Sequence, residues 1–124
     1  MEKYPISKQN SPYLFNIVVP LFNAEQYIEK CLNSIIKQSY KKFHVQIVDD
    51  CSTDSSYEIA SSICNKHKNF EIIKNPRRLG ALNNIFNLLN KKIKEPSRTV
   101  DILIDGDDYL YSGDVLNILN EKYS

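Results

Sequence analysis

The chain has no run of about 18 apolar residues, the length a helix needs to cross a hydrocarbon core, so no helix of this sequence is long and apolar enough to span a bilayer. Its first residues carry no apolar stretch of the kind that targets a chain for secretion. No charge sign dominates: 16 Lys and Arg stand against 15 Asp and Glu, a net charge of +1. That excludes the global basic field of a nucleic-acid binder. Arg77-Arg78 is the nearest thing to a basic cluster. Cys31, Cys51 and Cys64 are an odd count without CxxC spacing, which favours free thiols in a reducing compartment over a disulfide framework. Cytoplasm is the expected location. Internal repeats, linkers and low-complexity tracts are absent as well.

What is present is enough for one soluble domain. Apolar residues make up 42% and charged residues 25% of 124, a size and balance that bury a core without disulfides or metals. Residues 1–13, interrupted by Pro5 and Pro12, read as a polar arm, and residues 14–124 as the domain. Phe15 to Val19, His44 to Val48, Phe70 to Ile73 and Val100 to Ile104 are short apolar or β-branched runs that read as buried strands. Between them lie helical patterns. Asn23 and Gln26 form a capping box ahead of Tyr27, Ile28, Cys31, Leu32, Ile35 and Ile36, with the end near Gln38. Ser52, Thr53 and Asp54 precede Tyr57, Ala60, Ile63 and Cys64. Leu82, Ile85, Phe86, Leu88 and Leu89 predict a third helix to about Lys94, before Pro96, and Val115, Leu116 and Leu119 a last one. Strand-helix alternation predicts an α/β fold: three layers, α/β/α, around a mostly parallel sheet of about four strands.

The most informative stretch is Asp105-Gly106-Asp107-Asp108, which follows directly on the fourth apolar run. Two like charges about 4 Å apart repel by a few kcal/mol near a protein surface, and a divalent cation removes that repulsion. Carboxylates are hard oxygen donors that suit Mg²⁺ or Mn²⁺. A plain acidic turn is the competing reading. In an open parallel sheet the ligand crevice lies outside the carboxyl ends of the strands. Pro20 to Asn23, Asp49-Asp50, Asn75 to Gly80 and Asp105 to Asp108 all fall at those ends. Topology thus predicts their convergence on one edge. His44 and His67 read as structural or exposed rather than catalytic, Cys31 and Cys64 as core, Cys51 as a loop residue, and Tyr109 and Tyr111 as packing beneath the acidic loop.

Three segments carry a resemblance. Ile17 to Asn23, Ile47 to Asp54 and Leu103 to Asp108 are similar, in order and in placement, to the strand-Pro-aromatic-Asn, Asp-Asp-x-Ser-x-Asp and DxD segments of family 2 glycosyltransferases of the GT-A fold. Arg78-x-Gly80-Ala81-Leu82-x-Asn84 also resembles a segment of some members, and the likeness covers about Phe15 to Tyr111. It implies a Rossmann-like nucleotide-binding half that takes an NDP-sugar donor, with UDP the expected nucleotide, for inverting transfer to the hydroxyl of a glycan, lipid or protein acceptor. In that reading Pro20 and Phe22 line the base pocket, Asp50 accepts from a ring N–H, and Arg78 contacts the nucleotide. Asp107 touches ribose or metal, Asp108 binds Mn²⁺ or Mg²⁺, and Asp49 and Asp105 support them. The chain ends at Ser124, soon after the acidic loop. The acceptor half and its Asp or Glu base are therefore expected outside this sequence, with no catalytic residue assignable within it and little transfer expected from it alone. A reading from a different class is a non-catalytic assembly module that associates through an open sheet edge. A haloacid-dehalogenase phosphatase or a phosphorelay receiver would place its acidic residues after other strands.

Overall fold

In a computed structural model of the chain, residues 13–80, 83 and 99–123 are described. Four strands form one parallel sheet in the order β3-β2-β1-β4: β1 (Leu14–Leu21), β2 (Phe43–Asp49), β3 (Phe70–Lys74) and β4 (Thr99–Leu103). β1 is central and pairs with both neighbours, Ile17 standing opposite Val45 on one side and Ile102 on the other. Three helices are described: α1 (Ile28–Ile36), α2 (Ser56–Cys64) and α3 (Val115–Tyr123).

Side chains alternate across a strand, and here the two faces differ. Phe15, Ile17, Val19 and Leu21 of β1, with Phe43, Val45 and Ile47 of β2, face one core. Ile28, Cys31, Leu32 and Ile35 of α1, Ala60 and Cys64 of α2, and Leu116 of α3 fill the same core. The apolar spacing read from the sequence is therefore the packing face of each helix. On the opposite face Val18 and Val48 form a smaller apolar pair. Beside them Asn16 bonds Asp101 at 3.1 Å, and His44 bonds Glu71 at 2.6 Å. The predicted third helix and Pro96 lie outside the described residues, as do residues 1–12 of the arm, so the layer expected from that helix lies outside them too.

Helix capping differs from the sequence expectation. Asn23 does not cap its own helix. α1 begins at Ile28, after a turn, and has no side-chain cap. Asn23 instead adopts φ 48, a left-handed conformation that Asn tolerates, and its Oδ1 accepts the N–H of Thr53 at 2.8 Å. Its own N–H donates to Ser52 Oγ at 2.9 Å, Ala24 N–H to Ser56 Oγ at 2.7 Å, and Ser55 N–H to Glu25 Oε1 at 2.9 Å. The loops before α1 and α2 thus cap each other across about 30 residues of sequence. Free donors at a helix start need partners, and a second loop supplies them as well as a local side chain does.

Gln38 is a second feature that periodicity does not reveal. It is fully buried at the end of α1. Its Nε2 donates to Ser112 O at 2.6 Å and its Oε1 accepts Leu116 N–H at 3.0 Å. This one amide holds the start of α3 against α1.

Candidate functional site

All four strands run the same way, so their carboxyl ends share one rim. Backbone bonds continue the ladder past the strand ends and lock the loops together. Asp50 N–H donates to Leu21 O at 2.8 Å, Asn75 N–H to Asp49 O at 2.9 Å, Ile104 N–H to Val18 O at 3.0 Å and Gly106 N–H to Pro20 O at 3.0 Å. Pro20 to Asn23, Asp49-Asp50, Asn75 to Gly80 and Asp105 to Asp108 therefore converge on one edge, as the strand pattern predicted.

At one end of the rim sits Asp50, almost completely buried. Its Oδ1 accepts the Asn75 amide at 3.1 Å and Leu79 N–H at 2.8 Å. Its Oδ2 accepts Arg78 Nε–H and Gly80 N–H, each at 3.0 Å. Burial alone would raise this carboxyl, but the bonds from Leu79, Asn75, Gly80 and Arg78 outweigh it and hold Asp50 far below the usual carboxylate range. Gly80 reaches its place at φ 93, a conformation that suits glycine. The Arg78 guanidinium lies over the Phe22 ring, 3.5 Å from its centroid, which is cation–π distance. Phe22 and Arg78 are both at the surface, 37% and 57% exposed. The sequence singled out Asp50, Phe22 and Arg78. It did not single out Asn75, whose only signal was the Asn-Pro step.

Asp49 stands next to Asp50 and bonds within its own loop. Fully buried, it accepts Ser52 N–H at 3.0 Å and Ser52 Oγ–H at 2.5 Å. The same hydroxyl accepts Asn23 N–H, so Asp49 fixes the β2–α2 loop against the end of β1. Between them Cys51 takes φ 66.

The acidic loop forms the other end. Asp105, Asp107 and Asp108 are exposed, whereas Gly106 is buried against β1. Asp108 N–H donates to Asp105 O at 2.9 Å, and the Cys31 thiol approaches the same carbonyl at 3.7 Å. Partial burial and then the Asp107 and Asp108 charges raise the Asp105 carboxyl. Burial, followed by the charges of Asp108, Asp105 and Asp107, pushes the Cys31 thiol up to about 12. Cys31 is thus an inert core thiol, as expected. Among the described residues no three His, Cys, Asp or Glu side chains form a ready-made metal cage. Two exposed carboxylates, Asp107 and Asp108, nevertheless offer hard oxygen donors of the kind that suit a cation held by one or two carboxylates together with substrate phosphates. The residues fit Mg²⁺ or Mn²⁺ in that sense.

Tyr109 and Tyr111 do not pack beneath this loop. They are 52% and 80% exposed, and Leu110 turns toward the core in their stead. Lys30 Nζ lies 3.9 Å from the Tyr109 ring centroid. The two tyrosines border an open groove of about 540 Å³ between α1 and residues 109–113, with Lys30, Asn33 and Lys37 on its other wall. His67 packs on Phe70, 5.3 Å between ring centroids, away from the rim.

Comparison with known proteins gives a consistent picture. The family described as Glycosyl transferase family 2 matches residues 16–122. Poly(ribitol-phosphate) beta-N-acetylglucosaminyltransferase TarS of Staphylococcus aureus is 34% identical over 98 residues, which is 77% of this chain and 16% of TarS. The crystal structure of S. aureus TarS 1-349 in complex with UDP-GlcNAc superposes with a TM-score of 0.68 at 27% identity, over 89% of this chain and 30% of that one. Mannosyltransferase PcManGT from Pyrobaculum calidifontis, solved with GDP-Man and Mn²⁺, shares the fold with a TM-score of 0.75 at 22% identity, over 88% of this chain and 32% of its own. The chain therefore spans about a sixth to a third of the length of these relatives.

Proposed function

Because the chain belongs to glycosyl transferase family 2, we propose that its carboxyl rim binds the nucleoside diphosphate of a sugar donor, UDP in the first instance. One observation carries the reading: a buried, hydrogen-bonded base end and an exposed acidic end share one rim, joined by backbone bonds rather than by flexible loops. Pro20 and Phe22 line the base end, with Asp50 and Arg78 beside them. Asp107 lies toward ribose and cation, and Asp49 and Asp105 support the two ends. Asp107 and Asp108 would hold Mn²⁺ or Mg²⁺, which would supply positive charge to neutralise the diphosphate and ease departure of the nucleotide. The complex of TarS with UDP-GlcNAc supports the choice of a uridine donor.

In the whole enzyme an acceptor hydroxyl attacks the anomeric carbon in line and inverts it. No described residue is assigned as the base that takes the hydroxyl proton. Three free thiols support a reducing compartment such as cytoplasm. Titration calorimetry with UDP, in Mn²⁺ and then in excess chelator, tests the reading. Metal-dependent heat of binding supports it, and a folded sample without such heat refutes it.

One observation favours self-association as a second property. β4 is an outer strand among those described, and Leu103 on it is 56% exposed. The outer edge of a sheet templates pairing with a second chain. Concentration-dependent sedimentation tests this, and a monomer at all concentrations rejects it.

A further inference from the structure

The groove beside α1 has no part in the donor-binding reading, yet it starts at the donor rim. Tyr109 follows Asp108 directly, and its ring meets Lys30 in the first turn of α1, Nζ to centroid 3.9 Å. From there the 109–113 segment is stitched to the helix. Leu110 N–H donates to Ser34 Oγ at 2.9 Å, Gln38 Nε2 to Ser112 O at 2.6 Å and Ser39 N–H to Gly113 O at 2.9 Å. α1 runs from the carboxyl end of β1 toward the amino end of β2, so the groove, about 540 Å³, leads away from the acidic loop along the helix. Lys30, Asn33 and Lys37 stand on one wall, Tyr109 and Tyr111 on the other. Lys30 and Lys37 are exposed and lie about 10 Å apart along the helix. Among the described residues neither is ion-paired, and Glu29 is the one carboxylate on the walls. Tyr111 is almost wholly in water.

We propose that this groove binds an anionic glycan, a chain of sugar rings that carries negative groups. The inference rests on the donor-binding reading in its choice of a glycan, because a sugar transferred at the rim joins a chain that must pass close to Asp108. The walls supply the chemistry such a chain needs. Exposed tyrosine rings are flat, amphipathic surfaces on which the C–H faces of sugars pack. Unpaired ammonium groups attract anions, and the Asn33 amide offers both a donor and an acceptor to hydroxyls. An acidic peptide carries no run of flat rings to match two tyrosines. A nucleic acid duplex asks for a broader positive field than two lysines beside Glu29 provide.

Hyaluronan oligosaccharides, whose rings bear carboxylates, are the probe. Dextran has the rings without the charge, and polyphosphate the charge without the rings. In ¹⁵N spectra of the whole chain, hyaluronan is expected to shift the amides of Lys30, Asn33, Lys37 and residues 109–113 and to leave those of Phe43 and Phe70 in place. By calorimetry it is expected to bind at least about tenfold more tightly than dextran or polyphosphate, and to weaken as salt rises. Lys30→Ala combined with Lys37→Ala should remove about tenfold of that affinity, and Tyr111→Ala about threefold. These positions are exposed, so urea midpoints and Mn²⁺-dependent UDP binding should stay at the parent's values. Dextran or polyphosphate binding as tightly as hyaluronan, shifts confined to other surfaces, or affinity that survives the double exchange overturns the inference. No hyaluronan binding by a chain that binds UDP overturns it and keeps the donor site. Hyaluronan held in the groove by a folded chain that ignores UDP supports the groove and refutes the donor site.

Discussion

Gly106 donates its N–H to the carbonyl of Pro20 at 3.0 Å, and a Cβ at Gly106 would stand 3.0 Å from Leu21 Cδ1 and 3.2 Å from that same carbonyl oxygen. The acidic loop is therefore seated directly on the end of β1, where even a methyl group would be crowded. Gly106→Ala should lower stability by about 1–3 kcal/mol, the usual penalty of overpacking, and should weaken metal-dependent nucleotide binding as the loop lifts. Urea unfolding and calorimetry on the same sample check both effects.

Asp107→Ala combined with Asp108→Ala should abolish metal-dependent donor binding. Both side chains are exposed, so unfolding free energy should move by no more than about 0.5 kcal/mol. Association through the β4 edge should persist in this variant. Loss of fold together with loss of binding would show that the carboxylates serve structure rather than a cation.

Asn23→Ala should cost about 1–2 kcal/mol, because it removes the acceptor for Thr53 N–H and places a Cβ-bearing residue without Asn's local bonding at φ 48. Asn23→Gly should cost less, since glycine restores the backbone conformation but not the cap. Equal effects of the two would mean that capping alone matters.

Gln38→Met should destabilise by about 1–3 kcal/mol, for it leaves Leu116 N–H and Ser112 O without their partner in a buried place. Hydrogen exchange should locate the loss in α3 and the 109–113 segment, with β2 and β3 unaffected.

Asp50 makes stability depend on acid. Its folded-state pKa lies far below its unfolded value of about 3.9, so its contribution is fully present above that value and is lost progressively as pH falls toward the folded-state value. Asp54, whose carboxyl is also lowered once its bonds to Ser56 and Glu25 outweigh burial, adds to the same slope. Urea midpoints measured from neutral pH down to pH about 2 should decline below about pH 4, and Asp50→Asn should flatten part of that decline.

Much of this was legible in the sequence, for identifiable reasons. The apolar runs ending in Asp49 and ahead of Asp105 announced parallel strands, and a parallel sheet puts their ends on one rim whatever the intervening residues do. Ile28, Cys31, Leu32 and Ile35 announced a buried helix face, and all four are buried. Asn23 was misread because a capping box is defined within one helix start, while its true partner, Thr53, is 30 residues away. The saturation of Asp50 was hidden for the same reason: its donors come from Asn75 to Gly80 and are brought to it only by the pairing of β2 with β3. Tyr109 and Tyr111 were misplaced because aromatic content alone does not say which of three consecutive apolar residues turns inward, and Leu110 does.

Mn²⁺ relaxation broadening of amide signals in the UDP-saturated, ¹⁵N-labelled chain is the most direct test of a shared rim. The expected result is strongest broadening at Asp105 to Asp108, with clear effects at Phe22, Asn23 and Asp50 to Ser52, and none beyond background at Phe43 and Phe70 on the opposite edge of the sheet. Broadening that ignores Asp105 to Asp108, or that is greatest at the Phe43 and Phe70 edge, would contradict it.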